Sequence, residues 1–381
     1  MTMNIHAFSG AAMLGLAVAC GACTAQIPAS ADADADAHAV QVRRIGEMSV
    51  ARATHQATRL PSGKVLITGG CTGSCETSLD QVELFDPATS TFSLLPAMGL
   101  ARNSHAAVAL TDGRVLVAGG WSGSQVSASV EIFDPASGTF SALSDMTQPR
   151  AVPAAVRLAD SRVMITGGQT AQLAPIATAE LFDPVSQQFA QTGSMLAARV
   201  GHSAVVLADG RVLVAGGLRV RRGEVLRSAE IYDPDTGVFE PTGEMAAARH
   251  KHAAVRLADG RVLIIGGAGN DRRDERYRST EIYDPASGGF SPGADMQWRR
   301  YKLPDAALLL PSGEVLVAGG AERVERYDPA ERRFMALIGA LSGAQEFTTA
   351  TLLDDGTVLL AGGYDEEIRS SASAWRVRLS D

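Results

Sequence analysis

The sequence has little cysteine, no sustained helical pattern and no excess of basic charge, and each shortage removes a class of protein. Charged residues make up 20% of the 381-residue chain and the formal net charge is −8. That balance carries neither a nucleic-acid nor a membrane-surface footprint. Outside the N-terminus no long stretch places apolar residues at i, i+3, i+4 and i+7, which argues against a helical fold. The four cysteines do not make a metal set: Cys71 and Cys75 would need two more soft ligands, and none stands at a matching spacing. No metal or other cofactor is expected. In an exported chain the segment Gly69-Gly70-Cys71-Thr72-Gly73-Ser74-Cys75 reads as a small disulfide clip, with two free thiols as the alternative.

Export itself is read from the first 25 residues. Residues 7–22 are apolar and rich in Ala and Gly, too short to span a bilayer comfortably, and end in small residues as secretory signals do. Two processing readings compete. Ala17-Val18-Ala19-Cys20 resembles a bacterial lipobox, and Cys20 would then carry the lipid that alone could attach the chain to a membrane. Cys23-Thr24-Ala25 resembles an A-x-A-like site that frees a soluble protein from Gln26. Neither has the usual basic residue ahead of the apolar run. Residues 26–38, with an Ala-Asp alternation, cannot bury enough apolar surface to fold and read as a flexible tether. The expected organisation is a signal over 1–25, a tether over 26–38 and one folded body over 39–381, placed in the periplasm, on the envelope or in the medium.

That body is repetitive. Double glycines recur at Gly69-Gly70, Gly119-Gly120, Gly167-Gly168, Gly216-Gly217, Gly266-Gly267, Gly319-Gly320 and Gly362-Gly363. Six are followed by Asp-Pro, from Asp86-Pro87 to Asp328-Pro329, and each Asp-Pro by a Phe, from Phe92 to Phe334. Residues 252–292 read as four short strands, with Asp259-Gly260 and Asp284-Pro285 in the turns. Such a unit can bury its faces only against its neighbours. The di-glycine, the Asp-Pro, the aromatic and the period of about 50 residues resemble the kelch repeat, from about residue 39 onward. The resemblance implies an all-β, seven-bladed β-propeller with four antiparallel strands per blade. After Gly362-Gly363 there is room for one more strand, 374–379, so the strand over 39–45 is expected to complete the last blade and close the ring. Six blades with a detached terminal hairpin is the weaker alternative.

The Asp-Gly and Asp-Pro turns fall on one face of such a ring, here the first face. The loops after each Gly-Gly and the links between blades fall on the second, where kelch propellers commonly hold ligand. The links carry Arg52, Arg102, Arg150, Arg199 and Arg249, with Lys302 read as the sixth member. Loops of blades four and five add arginines that the repeat does not require, among them Arg221, Arg222, Arg272 and Arg273. Two readings of the recurring arginines stay open: hydrogen bonds to carbonyls of the adjacent blade, or recognition of carboxylate, sulfate or phosphate. His55, His105, His202 and His252 follow the arginines by three residues, with Pro153, Asp305 and Thr348 read into the other blades; repetition points to packing. Tyr277, Tyr301 and Trp121 are candidates for stacking on a sugar or peptide. The expectation is a monomeric binding or scaffold propeller that takes a protein partner or an anionic saccharide, and no nucleic acid. The alternative is a kelch-fold carbohydrate enzyme of mutarotase or epimerase type, with Glu346, Asp305, Arg249 and His250 as its acid–base groups. A copper-radical oxidase fits less well, because no tyrosine stands near Cys71 or Cys75.

Overall fold

The computed structural model describes residues 41–219, 223–270 and 275–379. Every regular element among them is a β-strand, and none of their helical turns is long and apolar enough to cross a membrane. Seven four-stranded antiparallel sheets follow one another around a ring. The first blade is Gln56–Arg59, Val65–Thr68, Val82–Asp86 and Thr91–Leu95, and the next five repeat that order. Inner strands contact the inner strands of both neighbouring blades, which leaves a channel along the axis.

The second strand of each blade explains the apolar run before every di-glycine. Val65, Leu66, Ile67 and Thr68 are all buried, because a propeller strand is covered on both sides. Side chains alternate across a strand, so Val65 and Ile67 pack with Leu359 and Ala361 of blade seven. Leu66 packs the other way, with Val115, Val117 and Phe133 of blade two. At the outer hairpin Phe85 and Phe92 meet with ring centroids 4.9 Å apart, and five further blades repeat the aromatic pair.

The ring closes in blade seven, whose outermost strand is the N-terminal Val42–Glu47, antiparallel to Ser373–Val377. Blade seven lacks an Asp-Pro turn because no hairpin is needed there. The closing strand runs two residues beyond the expected 39–45, with a bulge between Arg44 and Gly46. Trp375, 1% exposed, fills the core beneath this joint.

Candidate functional site

The recurring arginines belong to the framework. Arg52, Arg102, Arg150, Arg199, Arg249 and Arg300 are 0% exposed. Arg52 Nη1 donates to the carbonyls of Gly69 at 2.7 Å and Gln81 at 3.0 Å, and Nη2 donates to Glu83 at 2.7 Å. Glu83 uses its second oxygen to accept the Ser49 amide at 2.7 Å. The same rung recurs on Glu131, Glu180, Glu230, Glu281 and Glu325. Burial lowers each guanidinium pKa and the paired carboxylate opposes the shift. A ligand on the second face does not reach these groups, so Arg102, Arg150, Arg199 and Arg249 are corrected from candidate binding residues to structural ones. The carbonyls they hold lie in the blade each link enters, not in an adjacent one.

The di-glycines exist for the next link. Gly70 N donates to the Arg102 carbonyl at 2.9 Å, and a Cβ on Gly69, at φ +57°, would stand 2.3 Å from that oxygen. Only glycine tolerates both the left-handed backbone and the approach.

Lys302 is not the sixth member of the arginine set; Arg300 is, bonded to Gly319 O at 2.5 Å and Glu325 at 2.8 Å. Five rungs place the arginine 17 residues before its glycine, but Arg300 precedes Gly319 by 19. Two extra residues near Pro304 and Asp305 therefore push the register. Leu303 takes the histidine position, while Asp305 projects into the channel, where Gln56 bonds it at 3.1 Å. Desolvation by the channel walls raises the Asp305 carboxyl above its ordinary value, Gln56 opposing it. The four register histidines are buried and bond hydroxyls of the preceding blade through Nε2: His55 to Thr349, His105 to Thr68, His202 to Thr166 and His252 to Ser203, at 2.9–3.1 Å. They lock blades together.

With Arg300 in place, the two residues after each rung become comparable. The second of them forms an annulus at the channel mouth: Thr54, Ser104, Val152, Gly201, Lys251, Lys302 and Phe347, all at φ between +50° and +65°. Backbone bonds such as Ser104 N to Thr54 O and Val152 N to Ser104 O, both 2.9 Å, pass from blade to blade. Six of these seven are not glycine, and holding an L-residue there costs about 1–2 kcal/mol. In blades one to four the pairs are Ala53-Thr54, Asn103-Ser104, Ala151-Val152 and Val200-Gly201; in five to seven they are His250-Lys251, Tyr301-Lys302 and Glu346-Phe347. Reactive side chains therefore gather on one side of the mouth.

These groups touch. Tyr301 Oη and His250 Nε2 are 3.3 Å apart. Lys302 Nζ donates to Glu346 at 2.6 Å, and Arg276 Nη2 lies 2.5 Å from the other Glu346 oxygen. Lys302 also stands 4.8 Å over the Tyr364 ring and Lys251 5.3 Å over Tyr301, geometry at which a cation is attracted to the π face. Burial raises the Tyr364 phenol, against the opposing effect of Lys302. Above the channel His250, Lys251 and Tyr364 of this cluster border a bowl of about 550 Å³, with Trp121, Leu173, Leu218 and Ile368 on its other walls. Cys71 and Cys75 are joined by a disulfide, and Cys75 lines the same bowl.

Of the four acid–base candidates, His250 and Glu346 enter this cluster, whereas Arg249 stays in its rung and Asp305 lies down the channel. Among the described residues of the second-face loops, Arg219, Arg227, Arg276 and Arg278 each have a carboxylate partner. Arg221, Arg222, Arg272, Arg273 and Cys20, with the signal and tether, lie outside the described residues. The rung glutamates went unread although each stands three residues before an Asp-Pro, as in Glu83-Leu84-Phe85-Asp86.

Residues 60–99, 102–147 and 198–246 match the family described as Kelch motif. No curated protein matches the chain. Among solved structures the chain is similar to a fungal alcohol oxidase of the AA5 family in complex with copper, at 16% identity and a TM-score of 0.71, over 87% of this chain and 75% of that one. At that identity the likeness concerns the fold. Among the described residues no three His, Cys, Asp and Glu side chains converge as metal ligands, and Cys71 and Cys75 are tied to each other.

Proposed function

We propose that this chain, which carries kelch motifs in a seven-bladed β-propeller, is an exported binding protein that takes an acidic saccharide in the second-face bowl. The observation that carries the reading is the gathering of His250, Lys251, Tyr301, Lys302 and Glu346 in the links of blades five to seven, where the repeat demands none of them. The fold serves binding scaffolds and enzymes alike, so the argument rests on the bowl. Its volume lies in the range of small-ligand sites, roughly 300–1,000 Å³. Trp121, Phe347 and Tyr364 offer flat apolar faces to sugar rings, and Lys251, on the bowl wall, supplies a cationic partner for a uronate carboxylate.

Calorimetric titration with oligogalacturonate and a neutral oligosaccharide of equal length tests this. Saturable binding of the acidic sugar alone is expected, weakened at least tenfold by Lys251→Met and by Trp121→Ala. No difference between the two sugars would remove the anionic part of the proposal; no binding of either would remove the saccharide. Recovery of the mature protein in the periplasmic or secreted fraction tests export, and a cytosolic pool would reject it.

A further inference from the structure

The opposite mouth of the channel holds a second set of arginines. Arg59, Arg157 and Arg256 each end the inner strand of their blade, at the first face, and all three are exposed. The other four blades have Ala109, Val206, Leu309 and Leu352 there, so the repeat does not require a cation. Arg59 is neutralised by Asp354. Arg157 and Arg256 form no ion pair among the described residues. Each is instead held by one bond to the last carbonyl of the preceding inner strand: Arg157 Nη1 to Ala109 O and Arg256 Nη1 to Val206 O, both 3.0 Å.

That anchor has a chemical consequence. A guanidinium fixed through Nη1 keeps its Nε–Nη2 edge, which is a bidentate carboxylate face. Both arginines line one first-face cavity of about 540 Å³, which spans the inner-strand end of blade four and is also lined by Thr111 and Ser161. The one carboxylate on its wall, Asp209, is already taken by Arg211 Nε at 2.9 Å and Nη2 at 2.7 Å. We propose that this cavity is an anion site for a small organic dicarboxylate, one carboxylate on Arg157 and the other on Arg256. It is separate from the second-face bowl and stands or falls independently of it.

Titrations of the whole propeller with dicarboxylates from malonate to suberate, against butyrate at equal ionic strength, test the site. Saturable binding with an optimum chain length is expected, since the two arginines sit in different blades. Arg157→Gln and Arg256→Gln should each weaken it at least fivefold, and Arg157→Lys, which keeps charge but not the forked edge, should not restore it. Arg59→Gln is the control and should leave it unchanged. Because these side chains are exposed, melting temperatures should stay near wild type and exclude misfolding. Binding no better than butyrate, or binding indifferent to both Gln variants, overturns the proposal.

Discussion

Removing both sides of a buried rung should cost less than the sum of removing each side alone. In blade four Arg199 Nη1 donates to Gly216 O at 2.7 Å and Ser228 O at 3.1 Å, and Nη2 pairs with Glu230. Glu230 also accepts the Leu196 amide at 2.7 Å. Glu230→Leu leaves a guanidinium at 0% exposure without its counter-charge, which costs about 3–5 kcal/mol. Arg199→Met strands the carboxylate and the two carbonyls at a similar cost. The double variant removes both charges, so its loss should fall short of the sum by about 1–3 kcal/mol, the range for residues in one network. Blade seven supplies an internal contrast: Gln345 occupies the arginine position and Trp375 stands in the register where others have Glu, so Gln345→Ala should cost under about 1.5 kcal/mol. Urea midpoints and melting temperatures read all four. Single losses below about 1 kcal/mol, or strict additivity, would refute the claim that the rungs hold the links in place.

Two further perturbations test the framework around the mouth. Burial, reinforced by neighbouring arginines, lowers His55 and His202 to about 3 from an ordinary 6.5. Between those values the unfolded chain binds protons that the folded one refuses, so stability falls as pH drops through that window. The fall should approach roughly 1.4 kcal/mol per pH unit for each such histidine; His202→Gln should flatten the slope of melting temperature against pH, and an unchanged slope would contradict it. Val152→Gly relieves a β-branched residue at φ +55° and should stabilise the propeller by about 0.5–1 kcal/mol, after the extra unfolded-state entropy of glycine. A loss of stability there would show that the annulus is not strained.

The fold was legible because its cues repeat. Di-glycines mark where blades meet, and Asp-Pro pairs mark outer hairpins, so seven blades and the closing strand followed from counting. The site was harder to read. Its residues are those that do not repeat, and they stand out only against a correct register. Counting 17 residues back from Gly319 lands on Lys302, and the same count makes Asp305 a histidine equivalent; the two-residue insertion in the sixth link is invisible until Arg300 is seen to bond Gly319. The recurring arginines drew attention because arginine suits anions on a surface, yet burial was not readable without their glutamate partners. Arg157 and Arg256 were passed over for the converse reason: a strand-end arginine looks ordinary until its exposed edge is placed over a cavity.

Tryptophan fluorescence offers the most direct test of where ligand binds. Of three tryptophans, Trp121 lines the bowl, Trp298 borders a different surface pocket and Trp375 is buried beneath the ring closure. In a Trp298→Phe background, oligogalacturonate should change the Trp121 emission saturably, with the midpoint that calorimetry gives. Calorimetric binding that leaves this emission unchanged would place the ligand outside the bowl and contradict the account.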